Sequence, residues 1–527
     1  MHKSVKNLLE KAIEKEIHLE KPKKRELGHY ASPIAFSLAK ELRKNPKLIA
    51  EEICEKLSIY EELDSVEAVS GFVNIKLSSG FLDSFATSAL KNPQEFAKSV
   101  NSEKILLEYV SANPTGPLHI GHARGAIIGS SLYNIGKHLG YEIDTEYYVN
   151  DAGNQINLLG LSILLASKKL QGLEVEYPES YYRGEYIDDI AKLAISKYGE
   201  SFCIDEASIT ELSEFGKELM LEEIKENLKC IGVSFDNYVS ESEVLTHDKE
   251  TFIKLQKNDA SYIKDGKTWI KSELFGDEKD RVIIRESGEP TYLAGDIIYH
   301  NQKFLKEYDR YINIWGADHH GYIARVRAAI KHLGYDESKL EVILSQMVSL
   351  LKNGEPYKMS KRAGNFILLK DVVDEIGKDA LRFIFLSKKA DTHLEFDVED
   401  LKKEDSSNPI YYINYAYARI NTMFEKSGIS KEEVISQNQD VLGNEELLLL
   451  FEALLLPQIL EDAFSKREMQ RVTEYLKSLA SMFHSFYNRQ KVIGSENEKA
   501  YLKLASMVAL SLKTGLNLIG VEPKERM

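Results

Sequence analysis

KILLEYVSANPTGPLHIGHARG, residues 104–125, is the stretch whose reading decides the fold. Residues 104–110 are a short apolar run, consistent with a buried strand. A Pro/Gly loop follows over 111–117, and then a long helical stretch to about Leu139. Strand, tight loop and helix make the opening unit of a doubly wound nucleotide-binding sheet. Two further apolar strands, Tyr311 to Trp315 and Glu341 to Leu344, come some 200 residues later. The region of about 155–290 between them reads as an insertion rich in charged helices, such as Tyr186 to Tyr198 and Glu211 to Leu228.

Working outward, residues 1–103 read as a small α+β module. Leu8, Leu9, Ala12, Ile13 and Ile17 recur at helical steps, and the basic loop Lys21-Pro22-Lys23-Lys24-Arg25 is expected to break that helix. Ala35, Leu38, Ala39 and Leu42 suggest a second helix. Val69 to Leu77 alternates like one strand, with Val69, Val73, Ile75 and Leu77 on one face. Residues 405–527 read as all helix: Leu502, Ala505, Ala509, Leu512, Leu516 and Ile519 keep one apolar face, and Gly443 and Gly494 punctuate the run. The expected fold is therefore α/β. A Rossmann-type catalytic core over 104–404 carries an insertion, between the small N-terminal α+β domain and a helical bundle over 405–527.

Composition narrows the function. The 527 residues carry a net charge of -15, which speaks against bulk non-specific DNA binding. Residues 1–100 hold 16 basic against 15 acidic side chains, and 405–527 hold 14 against 16, so the acidity sits in the middle. An acidic core suits a cationic substrate, though solubility alone would also account for it. The longest apolar stretch, Leu447 to Leu460, is interrupted by Glu452 and Pro457 and is too short to span a bilayer, so no membrane partner is expected. The N-terminus lacks a signal-peptide apolar region. Cys54, Cys203 and Cys230 lie far apart and give neither a disulfide framework nor metal spacing, which reads as a reduced, cytoplasmic protein with no metal ligands. Lys267 and Thr268 follow Gly266, but Ser261 breaks the P-loop pattern. No G-x-G, no HExxH and no serine-hydrolase elbow is present.

Two short elements carry chemistry. His119-Ile120-Gly121-His122 opens the helix after the first strand, where unpaired N–H groups and the helix dipole already favour an anion. Two imidazoles three residues apart share one face and can donate to phosphate oxygens, and Gly121 lets a flat ring approach. Lys358-Met359-Ser360-Lys361 lies in a polar, Gly-bearing loop whose ammonium groups can stabilise the charge of a leaving pyrophosphate. Each alone has a bland reading, as surface histidines or a solvated basic loop. Together and in this order they are hard to dismiss.

His119–His122 followed by Lys358–Lys361 resembles the class I aminoacyl-tRNA synthetases. The wider context resembles the bacterial arginyl-tRNA synthetases over essentially the whole chain: GHYASPIAFSLAK (28–40), GFVNIKLS (71–78), SANPTGPLHIGHARG (111–125), YVNDAGNQI (148–156), EKDRV (278–282), PTYLAGDIIYH (290–300), WGADHHGY (315–322), KMSKRAGN (358–365), DALRF (379–383), NPIYYINYAYARI (408–420) and GVEPKERM (520–527). The resemblance implies ATP with Mg²⁺, L-arginine and tRNA(Arg) as reactants, a monomer, no zinc, and a need for tRNA before the amino acid is activated. It implies His119, His122, Lys358 and Lys361 as catalytic groups. Pro114, Thr115, Gly116, Leu118, Gly121, His319, Met359 and Ser360 join the histidines around ATP. Glu108, Asn113, Tyr292, Asp296 and Asp318 are implied for substrate binding, and arginine's planar donor fork suits bidentate carboxylates. Asp296 is four residues past Tyr292, so both are expected to face one way. Asp318, His319 and His320 are expected on the adenosine side, with a packed core histidine as the alternative for His319 or His320. The resemblance assigns the tRNA elbow to residues 1–103 and the anticodon to 405–527, with Lys23, Lys24, Arg25, Lys466, Arg467 and Arg489 as candidate phosphate contacts. Tyr411, Tyr412, Tyr415 and Tyr417 can stack bases, but at helical spacing most are expected to pack. The rival readings are a class I synthetase for another amino acid and a non-enzymatic tRNA-binding paralogue.

Overall fold

The computed structural model describes residues 1–357 and 366–527. Lys358, Met359, Ser360 and Lys361 lie outside the described residues. Among the described residues no helix is long and apolar enough to cross a membrane.

The first helix, His2–Ile13, stops at Glu14 in a left-handed conformation (φ 58°), well before the basic segment expected to break it. Ile17 lies beyond its end, yet is buried in the core. A three-stranded antiparallel sheet follows, built from β1 (Tyr30–Ser32), β2 (Leu63–Val69) and β3 (Phe72–Leu77) in the order β1-β3-β2. The expected single strand from Val69 to Leu77 is thus two strands. Ser70 and Gly71 both take positive φ (52° and 84°) and fold a tight hairpin, pairing Val69 with Phe72. Apolar alternation persists through a two-residue turn, so periodicity alone does not reveal it.

The core sheet is parallel throughout. β4 (Lys104–Glu108) and β5 (Glu142–Val149) are followed by β6 (Asn237–Ser240). After the antiparallel trio β7 (Ser261–Lys264), β8 (Lys267–Ile270) and β9 (Arg281–Ile284) come β10 (Arg310–Gly316) and β11 (Leu340–Ser345). The order is β11-β10-β4-β5-β6. β4 is central and buried on both faces, which is why it reads as unbroken apolar sequence. The 155–290 segment gives the helices Glu185–Tyr198 and Ile209–Cys230 close to where they were expected, but the helix Asn154–Leu170 precedes them, and the segment also supplies β6 to the core sheet and holds all of β7–β9. A further small sheet pairs β12 (Val348–Lys352) with β13 (Glu355–Pro356) and β14 (Leu394–Asp397).

The helix Ile120–His138 lies tight against the core because it is small on that face. A Cβ at Gly129 would meet the Tyr109 ring at 2.4 Å. Beyond residue 405 the chain is helical, with Pro409–Ser427, Asn444–Ala453, Leu456–Lys466, Gln470–Arg489 and Glu498–Leu518 sharing one apolar core with the parallel sheet. Asn408 caps the first of these by accepting from the Ile410 and Tyr411 amides. Tyr417 is buried, while Tyr411 and Tyr415 stack on each other and Tyr412 packs on His484.

Arg382 joins these layers. It is fully buried and donates to Ile519 O (2.7 Å), Ile231 O (2.8 Å), Ser130 Oγ (2.9 Å) and Ser131 Oγ (3.1 Å). Burial lowers its pKa to about 10, so it stays charged at neutral pH. Arg382→Leu would leave two carbonyls and two hydroxyls without their donor, and a loss of about 4 kcal/mol of stability is expected in urea titration. A loss below about 1 kcal/mol would mean that water replaces the guanidinium at little cost.

Candidate active site

β4 delivers Glu108 to the carboxyl end of the sheet, and the chain then turns abruptly. Val110 and Ser111 both take positive φ (71° and 44°), an unusual conformation for a β-branched residue and a local store of strain. The turn brings Ser111 Oγ to Glu108 Oε1 (3.1 Å), and the same hydroxyl accepts from the Tyr148 amide (3.1 Å). The loop beyond is pinned by two tyrosines: Tyr147 donates to Ala112 O (2.8 Å) and Tyr186 to Thr115 O (3.1 Å).

His119 is the N-cap of the helix Ile120–His138, and its Nδ1 accepts from the Gly121 amide (3.1 Å). A Cβ at Gly121 would sit 2.9 Å from that ring, so the cap requires glycine there. With Nδ1 accepting, the neutral ring carries its proton on Nε2. The His119 and His122 rings stack with centroids 3.7 Å apart, and Phe366 stacks on His119. Burial lowers the pKa of both histidines; His122, also facing His119, falls to about 3. They are therefore neutral hydrogen-bond donors rather than cations. His122 Nδ1 is buried without a partner. The chain just past residue 365 is sewn to this helix start: Ile120 N donates to Ile367 O and Leu369 N to Leu118 O, both at 2.9 Å.

A cleft of about 1340 Å³ opens beside the histidines. Of the residues expected from sequence, Asn113, Thr115, Gly116, His119, Gly121, His122, Asp318 and His319 line it. Pro114 and Leu118 do not: both are buried, and Leu118 packs in the core. His319 and His320 are exposed, so neither is a packed core histidine.

Glu108 and Asp296 belong to an acidic cluster that extends from this site. Asp296 neighbours Glu108 and Glu241, and Tyr322 bonds its carboxyl. Tyr148 bonds Glu241, whose Oε2 is buried with no partner. Glu108 also pairs with Lys303 (2.6 Å), so the salt bridge is real and lies within the cluster. Tyr292 does not share the environment of Asp296. It is 73% exposed in the first turn of the helix Tyr292–Phe304, whereas Asp296 is partly buried. Sequence reasoning missed Glu241, Tyr148, Tyr322 and Lys303, as well as Tyr181, Tyr182, Arg183 and Tyr186 on the cleft wall. Lys303 left one signal: Asp296, Tyr299, His300 and Lys303 put polar groups at i, i+3, i+4 and i+7 of a helix that is mostly buried.

Burial, with Glu108 and Glu241 close by, raises the Asp296 pKa to about 7. The folded chain thus holds a proton that the unfolded chain releases near pH 4, so this group lowers stability as pH rises from about 4 to 7. A guanidinium favours the ionised form. The thermal stabilisation given by a fixed arginine concentration is therefore expected to be greater at pH 8 than at pH 6; equal shifts would show that Asp296 does not titrate against the ligand.

Several of the proposed phosphate contacts are already engaged. Arg467 pairs with Glu341, Arg489 with Glu445 and Lys466 with Asp462.

Three family models together cover most of the chain: an arginyl tRNA synthetase N terminal domain over residues 1–77, a tRNA synthetases class I (R) catalytic domain over 86–424, and a DALR anticodon binding domain over 413–527. The arginine–tRNA ligase of Nitratiruptor sp. is 62% identical and that of Wolinella succinogenes 61%, each over 100% of both chains. The Thermus thermophilus arginyl-tRNA synthetase structure superposes with a TM-score of 0.79 at 20% identity, covering 100% of both chains, which speaks for the fold alone. With a catalytic-domain match over more than half its length and full-length relatives above 60% identity, the chain belongs to the arginyl-tRNA synthetase family, class I.

Proposed function

We propose that the acidic cluster of Glu108, Asp296 and Glu241 receives the arginine guanidinium, and that the adjoining cleft at His119 and His122 receives ATP. As a member of its family the chain catalyses the ATP-dependent attachment of arginine to tRNA. The observation that carries the site reading is the buried, unpartnered Glu241 Oε2 in a cluster of three carboxylates one strand-end from a helix N-terminus. Lys303 pairs with Glu108 there, and the remaining carboxylate charge is costly unless a second cation joins it.

The arginine carboxylate attacks the α-phosphorus of ATP, forming the acyl-phosphate bond of arginyl-adenylate as the bond to pyrophosphate breaks. The 2′-OH of the terminal adenosine then takes the arginyl group and AMP departs. The chain's own work is positioning and charge stabilisation. His119 and His122 donate to phosphate oxygens, Asn113 holds the amino acid backbone, and Asp318 and His319 face the adenosine. Thr115 and Gly116 shape the ATP floor, while Pro114 and Leu118 are buried and outside the cleft lining. Tyr292, exposed in the first turn of the helix that carries Asp296, is assigned to the substrate on the sequence resemblance alone. Lys358, Met359, Ser360 and Lys361 act on the leaving pyrophosphate; this assignment rests on sequence. Mg²⁺ is assigned to the phosphates of ATP as part of the substrate.

The proposed division is 1–103 for the tRNA(Arg) elbow, 104–404 for catalysis with the inserted region 155–290, and 405–527 for the anticodon, in a cytoplasmic monomer. The test is aminoacylation of unfractionated tRNA with each of the twenty labelled amino acids. Charging with arginine alone is expected. Charging with another amino acid overturns the pocket, and tRNA binding without any charging favours a binding paralogue.

A further inference from the structure

We propose that Lys303 is a positioning residue for arginine recognition: it clasps Glu108 directly and, through Asn313 and His300, the backbone of Asp296, so that the two acids keep one spacing. The inference rests on the arginine pocket proposed above. Lys303 is the penultimate residue of the helix Tyr292–Phe304 and is 1% exposed. Its Nζ donates to Glu108 Oε2 (2.6 Å) and to Asn313 Oδ1 (2.9 Å), and lies 4.8 Å from the centre of the Tyr299 ring. Asn313 stands on β10, directly across from Glu108 on β4.

The chain of bonds has one consistent polarity. Asn313 Nδ2 donates to His300 Nε2 (3.4 Å), and His300 Nδ1 donates to Asp296 O (2.8 Å). That pattern requires a neutral His300, and burial next to Lys303 keeps it so by lowering its pKa to about 3. Each acid is thus tied to the same ammonium, one by its carboxylate and the other by its peptide carbonyl. Neither Asn313 nor His300 lines the ATP cleft. A bidentate guanidinium tolerates little error in the placement of its carboxylates. Moving them should therefore weaken arginine and spare ATP.

Two variants test this. Lys303→Met leaves Glu108 buried without its cation and should raise the KM for arginine about 100-fold while the KM for ATP stays within about twofold. Asn313→Ala keeps the ion pair and cuts only the arm to His300; it should raise the arginine KM about tenfold, again sparing ATP. A folded Lys303→Met enzyme with an unchanged arginine KM overturns the proposal. So does an equal change in both KM values, or a fall in kcat alone, since either marks a merely structural role. If Lys303→Met does not fold, Asn313→Ala decides, and an unchanged arginine KM refutes the clasp. Asp296→Asn separates the two readings. If that variant leaves arginine use intact, the pocket itself is misplaced; if it impairs arginine use while Lys303→Met does not, the clasp alone fails.

Discussion

Replacing Asp296 with Asn is expected to raise the KM for arginine about 100- to 1000-fold and to leave the KM for ATP near its original value. In the proposed pocket this carboxylate is one half of a desolvated charge pair completed by the substrate, whereas the cleft proposed for ATP is lined by other residues. The same substitution should make the empty protein more stable at pH 8. It removes an acid that burial and two neighbouring carboxylates hold near pKa 7, and which is therefore costly once ionised. Weaker binding with a higher melting temperature is the signature of a site that sacrifices stability for function. Pyrophosphate exchange with tRNA present gives the first quantity and thermal denaturation without arginine the second. An arginine KM within a factor of about three would remove Asp296 from the pocket.

His122→Ala should reduce kcat for adenylate formation about 100- to 1000-fold, with little change in arginine KM, because a fixed donor beside a phosphate acts chiefly in the transition state. His122 is part-buried at the cleft wall, neutral, and aligned by its stack on His119. Its pKa near 3 has a further consequence: between pH 6 and 8 no limb of the rate profile should belong to it. A variant retaining more than about a tenth of the parent rate would move phosphate stabilisation to other groups.

The parts of the molecule governed by local rules were legible. The strand at 104–108 and the helix from 120 follow from an apolar run, a Pro/Gly loop and a small-residue helix start. The bundle after 405 follows from helical periodicity. The hairpin at Ser70 and Gly71 was hidden because the apolar alternation did not falter across the turn. β6 was hidden because four residues with modest apolar content look like a loop until a neighbouring strand pairs with them. In the site, His119 and His122 stood out only together with the later Lys358–Lys361 motif, because the pair alone reads equally as two surface histidines. Glu241 and Tyr322 reach Asp296 from elements far away in sequence, and no local pattern encodes such a meeting. Tyr292 and Asp296 show the limit of the four-residue rule: two positions on one helix face can differ in burial when that face runs out from under its neighbours.

The four bonds of Arg382 also bear on how the chain is made. A ribosome releases Ser130 and Ser131 before Ile231, Ile231 before Arg382, and Ile519 after all of them. Until that final carbonyl arrives, the guanidinium lacks an acceptor and water must stand in for it. The carbonyl is followed by Gly520, where any Cβ would lie 2.3 Å from Arg382 Nε, so the late segment can close over the guanidinium only if that position stays bare. The helix that begins at Ile120 is therefore translated long before the last of the Arg382 contacts that lock it can form. A nascent chain stalled before residue 519 would carry the histidine pair on a core still open to water.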